Sequence, residues 1–423
     1  MRFPPLDNAA PTLSPSAIRR LLGTFSPSGP SRLDWPDALR GIAALVVVFD
    51  HSSYTFMPEF RRELMPHFNT SRYGIMVFFL VSGYIIPRSL ERRGSVRTFW
   101  IGRIFRVHPL LAAVVTMLLA FDALGIAEIR DFGRQSTVSV MAAHITMLQE
   151  LLGTPSLLLV LWTLSYEMAF YLLVVALFTL RLHQSSASVA VVLAVLASVS
   201  VAAGVAVPPS ALSGVFDTGP VIACASIALG LAVCCASAGP AVLRLFGGVL
   251  GGVLALTLVA FNGTVPLWEG LVILAVMFLG TTVHRAENSQ CTWRFAAGTT
   301  ILVAVCAVGS AYWFGGAEHF TRRGWISAFL LALVTFGAGL AVRGRGLPRV
   351  LTGLGTISYS VYLVHPVLLA VIDSTIGRRR HDSIALEVAF CMALLPLCCL
   401  TYRWIEAPSQ RFGRRWAHRT PRR

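Results

Sequence analysis

The chain has 423 residues, of which 55% are hydrophobic and 13% charged, with a mean hydropathy of +0.70. That balance excludes a soluble globular domain and defines an integral membrane protein. The net charge of +15 comes from 35 basic residues, all arginine, against 20 acids. The arginines gather in short connectors between apolar stretches, so the positive-inside rule accounts for them better than nucleic-acid binding does.

Residues 1–33 are rich in Pro and Ser, carry Arg19 and Arg20, and lack an apolar signal segment. They read as a disordered cytoplasmic tail. The first apolar segment, 41–57, opens just after Arg40 and contains His51. Eleven residues at about 100° each return to nearly the same helix face, roughly 16 Å further along the axis. A cation near one membrane surface therefore lines up with an imidazole inside the bilayer, where ionisable groups usually face a protein interior or a substrate path. An end-of-helix arginine and a packed histidine is the alternative reading. Asp50 precedes His51 but points about 100° away, so it is not automatically its partner.

The second segment, 73–87, contains Phe78-Phe-Leu-Val-Ser-Gly83, which places Ser82 and Gly83 where small residues let helices approach closely. Behind it the 88–106 connector carries Arg88, Arg92, Arg93, Arg97, Arg103 and Arg106 against the single acid Glu91. Arg103 and Arg106 are i,i+3 neighbours whose planar forks suit a polyphosphate; topology and anionic headgroups are the competing explanation. A third segment covers 107–125. The fourth, 157–180, holds Trp162-Thr-Leu-Ser165-Tyr-Glu167, with Thr163, Glu167, Phe170 and Tyr171 along one stripe. A mid-membrane carboxylate reads as functional, either orienting His51 or binding an acceptor hydroxyl; a polar contact between helices is the alternative.

Further apolar segments follow near 187–207, 219–237, 245–261, 267–283, 295–314, 324–342, 355–373 and 384–402. The segment 355–373 contains Ser358-Tyr-Ser-Val-Tyr362-Leu-Val-His365, in which Ser358, Tyr362 and His365 share a face. Glu406 and Pro408 close the region, Glu406 reading as a helix-end partner for an arginine. The expected fold class is all-α: a polytopic membrane protein, a bundle of about 10 to 12 transmembrane helices, since only helices satisfy the backbone in lipid. One membrane domain spans 34–410, and 411–423 is a basic cytoplasmic tail. Both termini are expected in the cytoplasm, although Arg61, Arg62, Arg72 and Arg378 to Arg380 fall on the other side. The eight cysteines read as small core residues, and the histidines show no metal-ligand spacing.

In this order the motifs resemble acyltransferase family 3, the integral membrane O-acyltransferases: Arg40 and His51, Phe78 to Gly83, Arg103-x-x-Arg106, Trp162-x-x-Ser165-x-Glu167, Ser358 to His365, and Glu406-x-Pro408. Thr163, Tyr166 and Val364 depart from the commoner choices, and twelve segments exceed the family's usual ten. The chain also stops after the membrane domain, without the fused hydrolase-like domain of some relatives. The resemblance implies transfer of an acyl group, acetyl foremost, from cytoplasmic acyl-CoA to a hydroxyl of a carbohydrate, such as a cell-envelope polysaccharide, or a glycosylated secondary metabolite. It implies no bound cofactor and no metal, a plasma-membrane location in a bacterium, and partners limited to acyl-CoA, the acceptor and the lipid bilayer. The all-arginine usage suggests GC-rich coding and an actinobacterial source. Within that frame His51 is the expected general base and Glu167 its orienting carboxylate. Arg40, Arg103 and Arg106 are expected to bind the donor, and Ser82, Trp162, Ser165, Tyr362 and His365 to support the site. A transporter reading predicts related halves and interrupted helices, and neither is evident in the sequence.

Overall fold

The computed structural model describes residues 34–127, 135–314 and 321–419; the tail 1–33 and residues 420–423 lie outside the described residues. The helices are α1 (Asp34–Phe56), α2 (Pro58–Leu64), α3 (Thr70–Arg93), α4 (Val96–Ala123), α5 (Thr137–Ile145) and α6 (Trp162–Thr179). Then come α7 (Ser186–Ala202), α8 (Ala211–Phe216), α9 (Thr218–Ala236), α10 (Ala241–Phe261) and α11 (Leu267–Glu287). The chain ends with α12 (Trp293–Phe314), α13 (Arg322–Ala341), α14 (Arg349–Thr375), α15 (Ile384–Thr401) and α16 (Ala407–Arg419). No strand occurs among the described residues. Eleven helices there are long and apolar enough to cross a membrane. The remaining long helix, α1, is diluted by Asp37, Arg40, Asp50 and His51 but packs inside the bundle against α3 and α14. The protein is a multi-pass helical membrane bundle.

Local signals set the ends. Asn69 caps α3 by accepting from the Arg72 amide at 2.9 Å, Gly94 ends it at φ 64°, and Ser95 caps α4 through the Thr98 amide at 3.3 Å. Gly94 and Ser95 alone make the turn, so most of the expected 88–106 connector is helical and Arg103 and Arg106 sit on α4 itself. Residues 407–419, which overlap the expected basic tail 411–423, form α16, which packs along α4 through Phe412 and Trp416 on Phe105.

The core is organised around α11, buried at every position from Trp268 to Ala286 and flanked by α3 and α7. A helix apolar on all sides belongs at the centre. Small residues set its approach to α3: a Cβ at Gly83 would collide with the Met277 carbonyl, and one at Gly280 with the Leu80 carbonyl. A second close seam joins α1 to α14, where a Cβ at Gly41 would stand 2.8 Å from the Gly355 amide and one at Gly355 would strike the Asp37 carbonyl.

Polar contacts collect at two opposite ends. At one end Arg285 pairs with Glu91 at 2.5 Å, Arg343 with Glu287 at 3.0 Å, and Arg103 bonds Ser89 at 2.9 Å. At the other end the Asp382 carboxylate accepts from the Glu59 and Phe60 amides, and the Arg379 amide donates to the Thr55 carbonyl. Most arginines lie at the first end. Three that break the pattern are neutralised by acids: Arg61 by Asp50 at 3.0 Å, Arg72 by Glu269 at 2.6 Å and Arg378 by Asp373 at 3.0 Å. The expectation that the cysteines are core residues holds for some of them: Cys398 lies in the core and Cys306, Cys391 and Cys399 pack partly buried against it. Only Cys398 is buried, and Cys224 and Cys234 are exposed, because a lipid-facing surface accepts a thiol as readily as the interior does.

Candidate active site

Helices α1 and α14 run side by side in the same direction, in contact at Gly41 and Gly355 and again ten residues further on at His51 and His365. His51 Nδ1 lies 2.8 Å from His365 Nε2, and the rings stack with centroids 5.2 Å apart at 11°. The hydrogen bonds assign the tautomers. His365 Nδ1 is 2.8 Å from the Val361 carbonyl, which can only accept, so that nitrogen carries the proton. In the neutral ring Nε2 then accepts from His51 Nδ1–H, and the lone pair of His51 is left on Nε2. His365 is fully buried, whereas the His51 side chain keeps 14% of its exposure.

Asp50 is the residue the sequence reading undervalued. Its Oδ2 lies 3.9 Å from His51 Nε2, too far for a hydrogen bond but close enough to pair with an imidazolium. Its Oδ1 accepts from Thr70 at 2.5 Å and from Arg61 at 3.0 Å. The 100° between neighbouring helix positions separates their Cβ directions without keeping the long imidazole away from the carboxylate. Nothing in the local pattern pointed to Arg61 or Thr70, whose relation to Asp50 is tertiary.

Tyr362 stands beside the histidine pair. Tyr362 Oη bonds the Val160 carbonyl at 2.9 Å and Thr163 Oγ1 at 2.6 Å, and its ring meets His365 edge-on at 6.3 Å and Phe78 at 5.6 Å. Trp162 lies under the Arg72 guanidinium at 5.1 Å. Ser165 is turned away, fully buried and accepting from the Glu150 amide at 3.3 Å; Ser82 is half-buried beside the Gly83 seam. Ser165 therefore holds a turn rather than facing the imidazoles.

Glu167 does not meet His51 as its partner; the imidazole Nδ1 is taken by His365. Glu167 Oε1 instead accepts from Tyr171 at 2.5 Å and lies within electrostatic reach of Arg40 and Arg103. One turn separates Glu167 from Thr163, enough to carry it toward the arginine-rich end. There Arg103 spans the Phe99 and Tyr171 rings at 5.3 Å each, and Arg40 interacts with Arg106, Asp37, Glu167 and Glu406. Glu406 is buried at the close of a π-turn over Tyr402–Glu406, accepting from Ser360 and Gln410 at 3.0 Å each. The structure thus brings Arg40, Arg103 and Arg106 together at one end of α1 and His51 with His365 toward the other. Among the described residues no cluster of three or more His, Cys, Asp and Glu side chains suited to a metal is present.

Comparison with protein-family models matches an acyltransferase domain over residues 33–403. No curated protein and no solved structure matches the chain.

Proposed function

Because the chain belongs to the acyltransferase domain family and is a multi-pass membrane protein, we propose that it moves an acyl group, acetyl foremost, from cytoplasmic acyl-CoA to a hydroxyl of a carbohydrate or a glycosylated natural product. The observation that carries this reading is the His51–His365 pair, which leaves a lone pair on a partly accessible imidazole of the same helix that bears Arg40 at its other end. The arginine-rich end is the cytoplasmic one by the positive-inside rule, so both termini face the cytoplasm. Donor phosphates rest on Arg40, Arg103 and Arg106, whose charge is only partly offset by Glu167 and Glu406. The roughly 16 Å from Arg40 to His51 suits a pantetheine arm rising along α1.

The chemistry balances on one imidazole. His51 Nε2 takes the proton of the acceptor hydroxyl as its oxygen attacks the thioester carbonyl; the C–S bond breaks, and the imidazolium returns a proton to the departing thiolate. His365 positions the base by fixing its tautomer. Asp50, held by Thr70 and Arg61, stabilises the imidazolium across 3.9 Å. Glu167 keeps Tyr171 and Arg103 in place at the donor end.

The test is thiol release from acetyl-CoA by the purified protein in lipid nanodiscs, with a panel of sugars and glycosylated macrolides. Acceptor-dependent release that vanishes in His51→Gln is expected. Acceptor-dependent release that persists in that variant refutes the assignment of the base.

A further inference from the structure

Most buried arginines of the bundle have their charge answered. Arg285 is surrounded by Glu91, Gln290, Ser186 and the His183 carbonyl, and Arg72 and Arg61 have their carboxylates. One group does not. Arg93, Arg103 and Arg414 come from three different helices, and among the described residues no carboxylate lies within ion-pair distance of any of them. The charges acting most on Arg93 are Arg103, Arg92 and Arg414.

The backbone holds these like charges together. The left-handed Gly94 folds the end of α3 back on the start of α4, so that Arg93 Nη1 reaches the Thr98 carbonyl at 3.3 Å. The guanidinium then lies across Gly102, where a Cβ would stand 2.9 Å from Nη1. The next residue, Arg103, donates to Ser89 at 2.9 Å and to Tyr171, with Glu167 within electrostatic reach. Helix α16 is clamped over α4 by Gly413 on the Phe105 side chain, with its Cβ position 2.6 Å from Phe105 Cβ, and by Phe412 and Trp416 against the same ring at 5.4 and 5.6 Å. That clamp carries Arg414 to Arg93. Three guanidiniums gathered at one surface concentrate positive potential there, and planar forks of this kind favour phosphate oxygens.

We propose that Arg93, Arg103 and Arg414 form a phosphate subsite that takes the ribose phosphate monoester of the acyl donor, with α16 as the element that completes it. The proposal rests on the reading of acyl-CoA as donor. A monoester carries close to two negative charges near neutral pH, a better match to three cations than a lipid phosphodiester.

The experiment measures binding of acetyl-CoA and of 3′-dephospho-acetyl-CoA to the full chain in neutral-lipid nanodiscs, for wild type, Arg414→Gln and Arg414→Lys. Wild type is expected to prefer acetyl-CoA by about tenfold or more. Arg414→Gln is expected to erase that preference by weakening acetyl-CoA alone, and Arg414→Lys to restore part of it. Equal binding of the two donors by wild type overturns the subsite and leaves the donor reading intact. An Arg414→Gln effect seen only when phosphatidylglycerol is present assigns the arginines to a lipid headgroup and also overturns it. Failure of wild type to bind either donor removes the donor reading and the subsite together.

Discussion

His365 holds His51 through a 2.8 Å contact between Nε2 and Nδ1, and its own Nδ1 is anchored to the Val361 carbonyl, so the buried histidine dictates which nitrogen of the accessible one is basic. Replacing His51 by Gln is expected to lower turnover by about 10²- to 10⁴-fold while leaving donor binding in place. His365→Phe is expected to lower turnover less and to shift the acid limb of the pH–rate profile, since the imidazole survives but its tautomer is no longer fixed. An unchanged profile in His365→Phe would mean that the pair is a packing contact only.

The α3–α11 seam has no room for a methyl group at Gly83, whereas Gly298 on α12 has nothing within 4 Å of its Cβ position. Gly83→Ala is expected to destabilise the bundle by about 1–3 kcal/mol, as overpacked sites do. Gly298→Ala is expected to leave the melting temperature level or slightly raised. Thermal unfolding in detergent compares the two directly.

Glu269 is 1% exposed and depends on Arg72 and on Trp325 Nε1 at 3.0 Å. Removing one partner of a fully buried pair costs about 3–5 kcal/mol, and the cost is lower here because Arg72 keeps 22% of its side-chain exposure. Arg72→Ala is therefore expected to be markedly destabilising, and adding Glu269→Gln to it should recover part of the loss. A double variant no better than Arg72→Ala would show that the carboxylate is not the source of the penalty.

His144, in the short helix α5 outside the spans, is buried with Nδ1 on the Val140 carbonyl at 2.8 Å and Nε2 accepting from the Leu157 amide at 3.1 Å. Burial holds its imidazole below the ordinary histidine range. A depressed histidine contributes its stability above the unfolded value of about 6.5 and loses it as pH falls toward the folded one. Melting temperature should fall between pH 7.5 and 5.5 in the wild type, and fall less in His144→Leu, which starts from a lower value. Identical slopes would remove His144 from the acid response.

Much of this was legible in order but not in depth. The apolar segments marked the spans because lipid demands long apolar helices, and Arg40 with His51 stood out because both lie on one helix. The alliance of His51 with His365 was not readable, since no local rule says that a helix near residue 50 has one near residue 360 as its parallel neighbour. Gly41 and Gly355 set that neighbourhood, and their role shows only when the backbones are in contact. The contact of Glu167 with Tyr171 was not readable either: the stripe shared by Thr163, Glu167 and Tyr171 is legible, but the depth at which that face meets α1 is tertiary. Ser165 looked chemical in its motif and proves to pin the Glu150 amide.

The most direct measurement is thermal stability with and without excess acetyl-CoA, for wild type and for Arg103→Ala/Arg106→Ala. Ligand at about 100 times its dissociation constant adds roughly 2.7 kcal/mol to the native state. The account predicts that acetyl-CoA raises the melting temperature of wild type and leaves that of the double variant unmoved. No response of wild type to acetyl-CoA or to longer acyl-CoAs would contradict it.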